Sequence, residues 1–299
     1  MAGPSSLTVK IDPARADALR DRFRDAGWRF DATPPDYAIW GARLPHVRAV
    51  LYSSGKMVLQ GRDAAHAAEE FLGQAPAAGA PSRAIRVPTA GSDEAGKGDF
   101  LGPLVVAATL VKPGQEGWIA ELGIRDSKTM SDLQVFEAAI VVRQTLPHAV
   151  LSLAPPKYAE MHAAMGANLN RLLAWAHGQV LETLLARPDA AGAVLVVVDQ
   201  FAKGSLMRNS LGPRAKALAL EERPRAEDNA AVAAASVLAR DGFLAGLRTL
   251  GVEVGVTLAK GAGPPADAAA RRVLAKGGVA LLARVAKMHF KNAEKVGAR

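Results

Sequence analysis

The stretch Gly91-Ser92-Asp93-Glu94-Ala95-Gly96-Lys97-Gly98-Asp99-Phe100-Leu101-Gly102-Pro103 (GSDEAGKGDFLGP) runs straight into an unbroken apolar segment, Leu104–Val111. Two phosphate-binding readings of it fail. Gly91 followed by Gly96-Lys97 meets most of a P-loop, but Gly98 stands where the magnesium-binding Ser or Thr belongs. A P-loop also opens a helix, which Gly98, Gly102 and Pro103 oppose, and Asp93 and Glu94 would repel the phosphates. A dinucleotide fingerprint fails because the glycine after Gly96 and Gly98 falls at the wrong spacing. What remains is acid chemistry. Asp93 and Glu94 close an extended segment just before a glycine turn that lets a ligand approach the backbone.

Further acids lie at comparable places. Asp199 ends the apolar run Ala193–Val198 (AVLVVV), which reads as an interior strand. Sites in α/β folds form at such strand exits. Glu227-Asp228 opens an alanine-rich helix that contains Ala231–Ser236. Carboxylates without a histidine pair or a cysteine form an all-oxygen donor set, which suits Mg²⁺ or Mn²⁺ rather than zinc. Two such ions about 3.5–4 Å apart are a common device for cleaving phosphodiesters. Each acid also has an ordinary structural reading. Asp93-Glu94 fits turn chemistry, Asp199 a strand end, and Glu227 or Asp228 a helix start favoured by the macrodipole. Spacing alone leaves both sets of readings open.

The chain has 299 residues, long enough to favour two domains. With 49% hydrophobic residues it builds an ordinary core, which excludes disordered and collagen-like chains. Having no cysteine excludes a disulfide scaffold, a thiolate zinc site and a cysteine nucleophile. No uninterrupted apolar run approaches the roughly 18 residues of a membrane span, and no secretory signal opens the sequence. A cytoplasmic protein without a membrane partner is expected, with a monomer as the default. The net charge of +8 divides as +1 over residues 1–72 and +7 over 73–299. A polyanionic partner is one reading of that excess and solubility the other.

The Gly/Pro/Ala-rich stretch 73–84 (GQAPAAGAPSRA) reads as a linker. Before it, residues 1–72 read as a small β-α-β-β-β-α unit. Its strands are Leu7–Ile11, Tyr37–Arg43, His46–Tyr52 and Met57–Gly61, with helices after Asp12-Pro13 and over Ala64–Leu72. Trp28, Tyr37 and Trp40 are expected in its core rather than stacked on bases. After the linker, residues 85–299 alternate strands with helical patterns at 131–146, 171–187, 227–246 and 266–296, a mixed α/β domain. Arg284, Lys287, Lys291 and Lys295 share one face of the last pattern, as a phosphate-gripping stripe or a solvated basic face.

These motifs resemble a known family. Gly91–Pro103, Asp126-Ser127-Lys128, Val198–Phe201 (VDQF), Ala226–Asn229 (AEDN), Ala231–Arg240 (AVAAASVLAR), Lys260–Gly263 (KGAG) and Lys287–Lys291 (KMHFK) follow the order seen in type 2 ribonucleases H. The Asp199-Gln200-Phe201 variant and the KMHF-like tail resemble ribonuclease HIII in particular. So do Tyr52–Lys56 (YSSGK) and Leu59–Gly61 (LQG), which look like that family's TATA-binding-protein-like domain. The resemblance implies a ribonuclease H-like mixed-sheet catalytic domain at 85–299 and a small α+β substrate-binding domain at 1–72. It implies a metal-dependent endonuclease that hydrolyses the RNA strand of RNA/DNA hybrids, leaving 5′-phosphate and 3′-hydroxyl ends. Asp93, Glu94, Asp199 and Glu227 would be the catalytic acids and ligands of two Mg²⁺ or Mn²⁺ ions. Gly96, Lys97 and Gly98 would read RNA 2′-hydroxyls through the backbone, and Lys128 would contact substrate. The fourth acid departs from the related ribonuclease HII pattern, so Asp228 rivals Glu227. Incision at single embedded ribonucleotides and silent binding of hybrids are the alternatives.

Overall fold

The computed structural model describes residues 6–34, 38–53, 55–61, 63–72, 84–121, 123–124, 127, 130–201 and 204–298. The chain divides into two compact units, Met1–Ala80 and Pro81–Arg299. The linker expected at 73–84 lies outside the described residues except for Ala84, as does Tyr37.

The first unit comprises β1 (Ser6–Lys10), α1 (Ala16–Asp25), β2 (Arg29–Phe30), β3 (Ala38–Leu44), β4 (Val47–Tyr52), β5 (Lys56–Gln60) and α2 (Ala64–Leu72). Its antiparallel sheet has the order β1-β5-β4-β3-β2. Strand β2 is absent from the sequence reading because two residues are too short to show alternation. One sheet face brings Trp40, Ala42, Ala49, Leu51, Met57 and Leu59 into a core with α1 and α2. Phe23 lies there with Trp28, Trp40 and Phe71 at ring-centroid distances of 4.6, 5.3 and 4.5 Å. Both tryptophans are therefore core, and Trp40 Nε1 donates to Ala16 O at 3.2 Å. Across the strands the register aligns Arg29, Arg43, Arg48 and Gln60 in one row, all exposed. Asp31 pairs with Arg43 and with Arg48, each at 2.8 Å.

The second unit is built on β6 (Thr89–Ala95), β7 (Leu104–Val111), β8 (His148–Leu153), β9 (Leu195–Asp199) and β10 (Ala219–Arg223). Its helices are α3 (Glu116–Glu121), α4 (Asp132–Thr145), α5 (Pro155–Ala164), α6 (Leu169–Leu185), α7 (Leu206–Ser210), α8 (Pro213–Lys216), α9 (Ala230–Val254), α10 (Pro264–Val285) and α11 (Lys291–Lys295). The strand order is β10-β9-β6-β7-β8. Strands β6, β7 and β8 run antiparallel, and β9 and β10 run parallel to β6. Every residue of β7 is buried because the sheet is covered on both faces. Alternate residues serve opposite layers. Val105, Ala107 and Val111 face α4, α9 and α10, whereas Val106, Ala108 and Leu110 face α6.

Helix α9 is long and apolar enough to cross a membrane by length and composition, yet 67% of its most apolar window is buried in the protein. The basic stripe expected on one last helix is not formed. Gly277 and Gly278 leave helical geometry, α10 stops at Val285 and α11 starts only at Lys291. Lys287 falls in the break and is fully buried.

Candidate active site

Strand register assembles the site. Ser92 pairs with Val198 in the parallel ladder, so Asp93 and Asp199 follow side by side one step further, at the carboxyl ends of β6 and β9. Asp93 lies on the same side of β6 as Gly91, where a Cβ would stand 2.4 Å from Val232 N and 2.5 Å from Ala231 C. Helix α9 thus presses its first turn directly against that strand. Val197, two residues before Asp199, packs with Val232 and Ala226 on this side. Ala226 opens the 3₁₀ turn Ala226–Asp228 that carries Glu227. Asp199 Oδ1 accepts from Ala226 N at 3.4 Å, which joins the turn to the strand end. Asn229 caps α9 by accepting from Ala231 N at 2.9 Å and is itself buried. The fold therefore brings Asp93, Asp199 and Glu227 to one side of the sheet edge.

The two candidates for the fourth acid differ in environment. Glu227 is half-buried, whereas Asp228 is exposed and bonded to the Arg223 guanidinium. Arg223, beside Asp199 in the register, is thus committed to Asp228 and to Glu221 at 2.7 Å.

Glu94 projects to the opposite side of β6, by strand alternation. Its Oε2 accepts from His177 Nε2 at 3.2 Å and its Oε1 from Lys97 Nζ at 3.2 Å. Burial works against its charge, but the hydrogen bonds and charges of His177 and Lys97 outweigh it and hold the carboxyl well below its ordinary pKa. Glu94 is therefore ionised.

The glycine turn is pinned from behind. Gly96 has φ +86°, and a Cβ there would stand 2.1 Å from Pro103 O and 2.8 Å from the Phe243 ring. Gly98 is exposed with open space where a Cβ would go. Asp99 accepts from Gly261 N, Phe100 N donates to Gly261 O at 3.0 Å, and Gly102 N donates to Val285 O at 2.9 Å. Lys287 Nζ donates to Asp99 O at 2.9 Å and Gly102 O at 2.7 Å. Lys128 lies outside the described residues. Sequence reasoning missed Lys287 as a loop anchor and His177 altogether. A lone histidine within an apolar helix has no spacing signal.

Among the described residues, no three acidic or histidine side chains are gathered into a ready metal cage. Instead, hydrogen bonds turn each of three acids to a local donor: Asp93 to Glu94 N at 2.8 Å, Asp199 to Ala226 N, and Glu94 to His177 and Lys97. Like charges side by side favour that dispersal. The donor set nonetheless fits a hard divalent cation: half-buried carboxylates from two adjacent strand ends and the adjoining turn, all oxygen.

A five-stranded mixed sheet with acids at the ends of its central strand and its parallel neighbour defines a nuclease of the ribonuclease H fold. The family model for ribonuclease HII matches residues 90–293, and one described as a domain of unknown function (DUF3378) matches residues 15–82. Similarity extends over the full length to ribonuclease HIII of Protochlamydia amoebophila, 36% identical with 99% of this chain and 98% of the relative covered. Ribonuclease HIII of Chlamydia pneumoniae is 35% identical, with 98% of each chain covered. The crystal structure of Bst-RNase HIII in complex with Mn²⁺ is similar at TM-score 0.66 and 30% identity, over 98% of both chains. The RNase HII in its complex with PCNA from Archaeoglobus fulgidus is similar at TM-score 0.58 and 25% identity, over 71% of this chain and 97% of that one. The chain belongs to the ribonuclease HIII family.

Proposed function

We propose that this ribonuclease H cuts the RNA strand of RNA/DNA hybrids at the carboxyl edge of β6 and β9, leaving 5′-phosphate and 3′-hydroxyl ends. The observation that carries the site assignment is the register, which sets Asp93 beside Asp199 with the Glu227 turn on the same side. Asp93, Asp199, Glu94 and Glu227 would hold the Mg²⁺ or Mn²⁺ ions. When bound, such ions supply Lewis acidity that activates water and neutralises charge growing on the phosphodiester. Glu227 rather than Asp228 fills the fourth place, because Asp228 is committed to Arg223.

The chain's own groups do the rest. The open backbone at Gly98 admits the ribose 2′-hydroxyl, the group that separates RNA from DNA. Lys97, partly exposed beside Glu94, would meet a backbone phosphate. Lys128 is assigned to the substrate on its place in Asp126-Ser127-Lys128. The unit at 1–72 docks the hybrid, with the exposed row Arg29, Arg43, Arg48 and Gln60 as its polyanion-facing surface. The reading includes a monomer working in the cytoplasm with no membrane partner.

The test presents the protein, with Mg²⁺ and separately with Mn²⁺, with end-labelled RNA/DNA hybrid, double-stranded RNA, double-stranded DNA and DNA carrying one ribonucleotide. Cleavage of the hybrid's RNA strand is expected, abolished by Asp93→Asn while hybrid binding survives. Full activity in that variant would overturn the site. Preferred incision at the single ribonucleotide would move the specificity toward that of ribonuclease HII.

A further inference from the structure

We propose that His177 is the positioning residue for Glu94: a buried imidazole on α6 that holds one carboxylate oxygen so that the other is presented to the divalent cation. This deepens the proposal above and rests on Glu94 being a metal ligand. His177 is 1% exposed. Both of its ring nitrogens bond side chains of the strand that carries the site, Nδ1 to Ser92 Oγ at 2.8 Å and Nε2 to Glu94 Oε2 at 3.2 Å. Ser92 and Glu94 are two apart on β6 and so share a face, which is why one imidazole on α6 reaches both. The Phe201 ring, two residues beyond Asp199, stacks on the imidazole at 5.4 Å and 19° between planes.

The ionised carboxylate only accepts, so the proton on Nε2 is fixed whatever Ser92 does. In the neutral ring Nδ1 accepts from the Ser92 hydroxyl; in the charged ring it donates to it. The donor to Oε2 is therefore buried, stacked and tied at its far end. The donor to Oε1 is different in kind: Lys97 is on a flexible chain, 39% exposed. Glu94 thus has one oxygen clamped and one oxygen held by an exchangeable cation. Oε1 would be the oxygen offered to a divalent cation, with Lys97 the partner free to give way toward solvent and the clamp on Oε2 left in place. Partners that orient a ligand in this way typically account for 10–100-fold in metal affinity.

The experiment measures Mn²⁺ affinity of the full chain without substrate, by electron paramagnetic resonance, and then kcat and KM on hybrid. His177→Phe keeps a ring against Phe201 but has no nitrogen. It is expected to weaken Mn²⁺ binding at least about 10-fold and to lower kcat while KM stays within about twofold. His177→Gln restores a donor where Nε2 stood and recovers most of the affinity. His177→Asn, whose amide reaches Ser92 but not Glu94, stays weak and serves where the Phe variant does not fold. Wild-type Mn²⁺ affinity in folded His177→Phe or His177→Asn overturns the proposal. So does a variant that melts earlier but binds Mn²⁺ as tightly as wild type, which would mark His177 as structural only. Glu94→Gln is the control. If it binds Mn²⁺ like wild type, the metal site itself has been misassigned.

Discussion

Lys287 is fully buried between the glycine turn and Tyr158, its Nζ shared by two backbone carbonyls and 5.8 Å from the Tyr158 ring centre. Burial pushes its pKa down to about 8, with the nearby Asp99 charge opposing the shift. A base with a depressed folded pKa loses its proton in the folded state first. Between pH 8 and the unfolded value of 10.5 the unfolded chain therefore binds more protons, and stability rises with pH. The neutral amine keeps two N–H groups, enough for both carbonyls. Tyr158, raised to about 12 by burial, acts in the opposite sense, but only above pH 10 where the unfolded phenol ionises. In urea melts, the difference in unfolding free energy between wild type and Lys287→Met should widen by about 2 kcal/mol from pH 7.5 to 10. A flat difference would show that the ammonium is not desolvated. Both sequence readings of Lys287, on a phosphate-gripping stripe or on a solvated basic face, assumed an unbroken helix, and the helix stops two residues earlier.

At the scale of elements, the candidate site is shaped by how α9 sits on β6. The strand yields a glycine at the contact, and Thr109 Oγ1 on β7 donates to Ala231 O at 2.8 Å, locking the helix start. Gly91→Ala drives a methyl into helix backbone that has no flexible end to move aside. We expect a loss of about 2 kcal/mol in chemical denaturation, within the usual range for overpacking. The turn carrying Glu227 precedes α9 and shifts with it, so kcat should fall more than KM rises. Wild-type stability and kcat in this variant would mean that the helix is not seated there. Asn229→Ala should cost about 1 kcal/mol through loss of the cap. These elements were legible because their signals are strong: continuous apolar runs in β7 and β9, acids at the exits of β6 and β9, an alanine-rich helix behind an acidic turn. In the second unit, the two strands that reading missed, β8 and β10, are the sheet edges. β10 carries Glu221, Glu222 and Arg223 in place of an apolar run, as edge strands often do. The candidate acids stood out one motif at a time; their convergence did not, since it comes from strand register between segments roughly a hundred residues apart.

For the whole molecule, the function proposed above divides between the two units, binding in the first and chemistry in the second. Every candidate acid and the glycine turn belong to the second unit, which has cores of its own on both sides of its sheet. The first unit has a separate aromatic core, an arginine row on its open face and no acid assigned to the reaction. The 1–72 truncation should therefore leave a folded catalytic unit, seen as a single remaining transition in calorimetry. Its kcat at saturating hybrid should stay within about threefold of the full chain, while KM rises at least about 10-fold, because what is lost is uniform binding rather than transition-state contacts. The salt dependence gives a second handle. If the arginine row meets phosphates, the slope of log KM against log salt becomes shallower on truncation, by roughly the number of phosphate contacts removed. Replacing Arg43 and Arg48 by Gln in the full chain should reproduce part of that change with kcat intact. An unchanged KM in the truncated chain would contradict the docking role. A collapsed kcat at saturation would place part of the chemistry in the first unit, where no two acids pair across the sheet among the described residues.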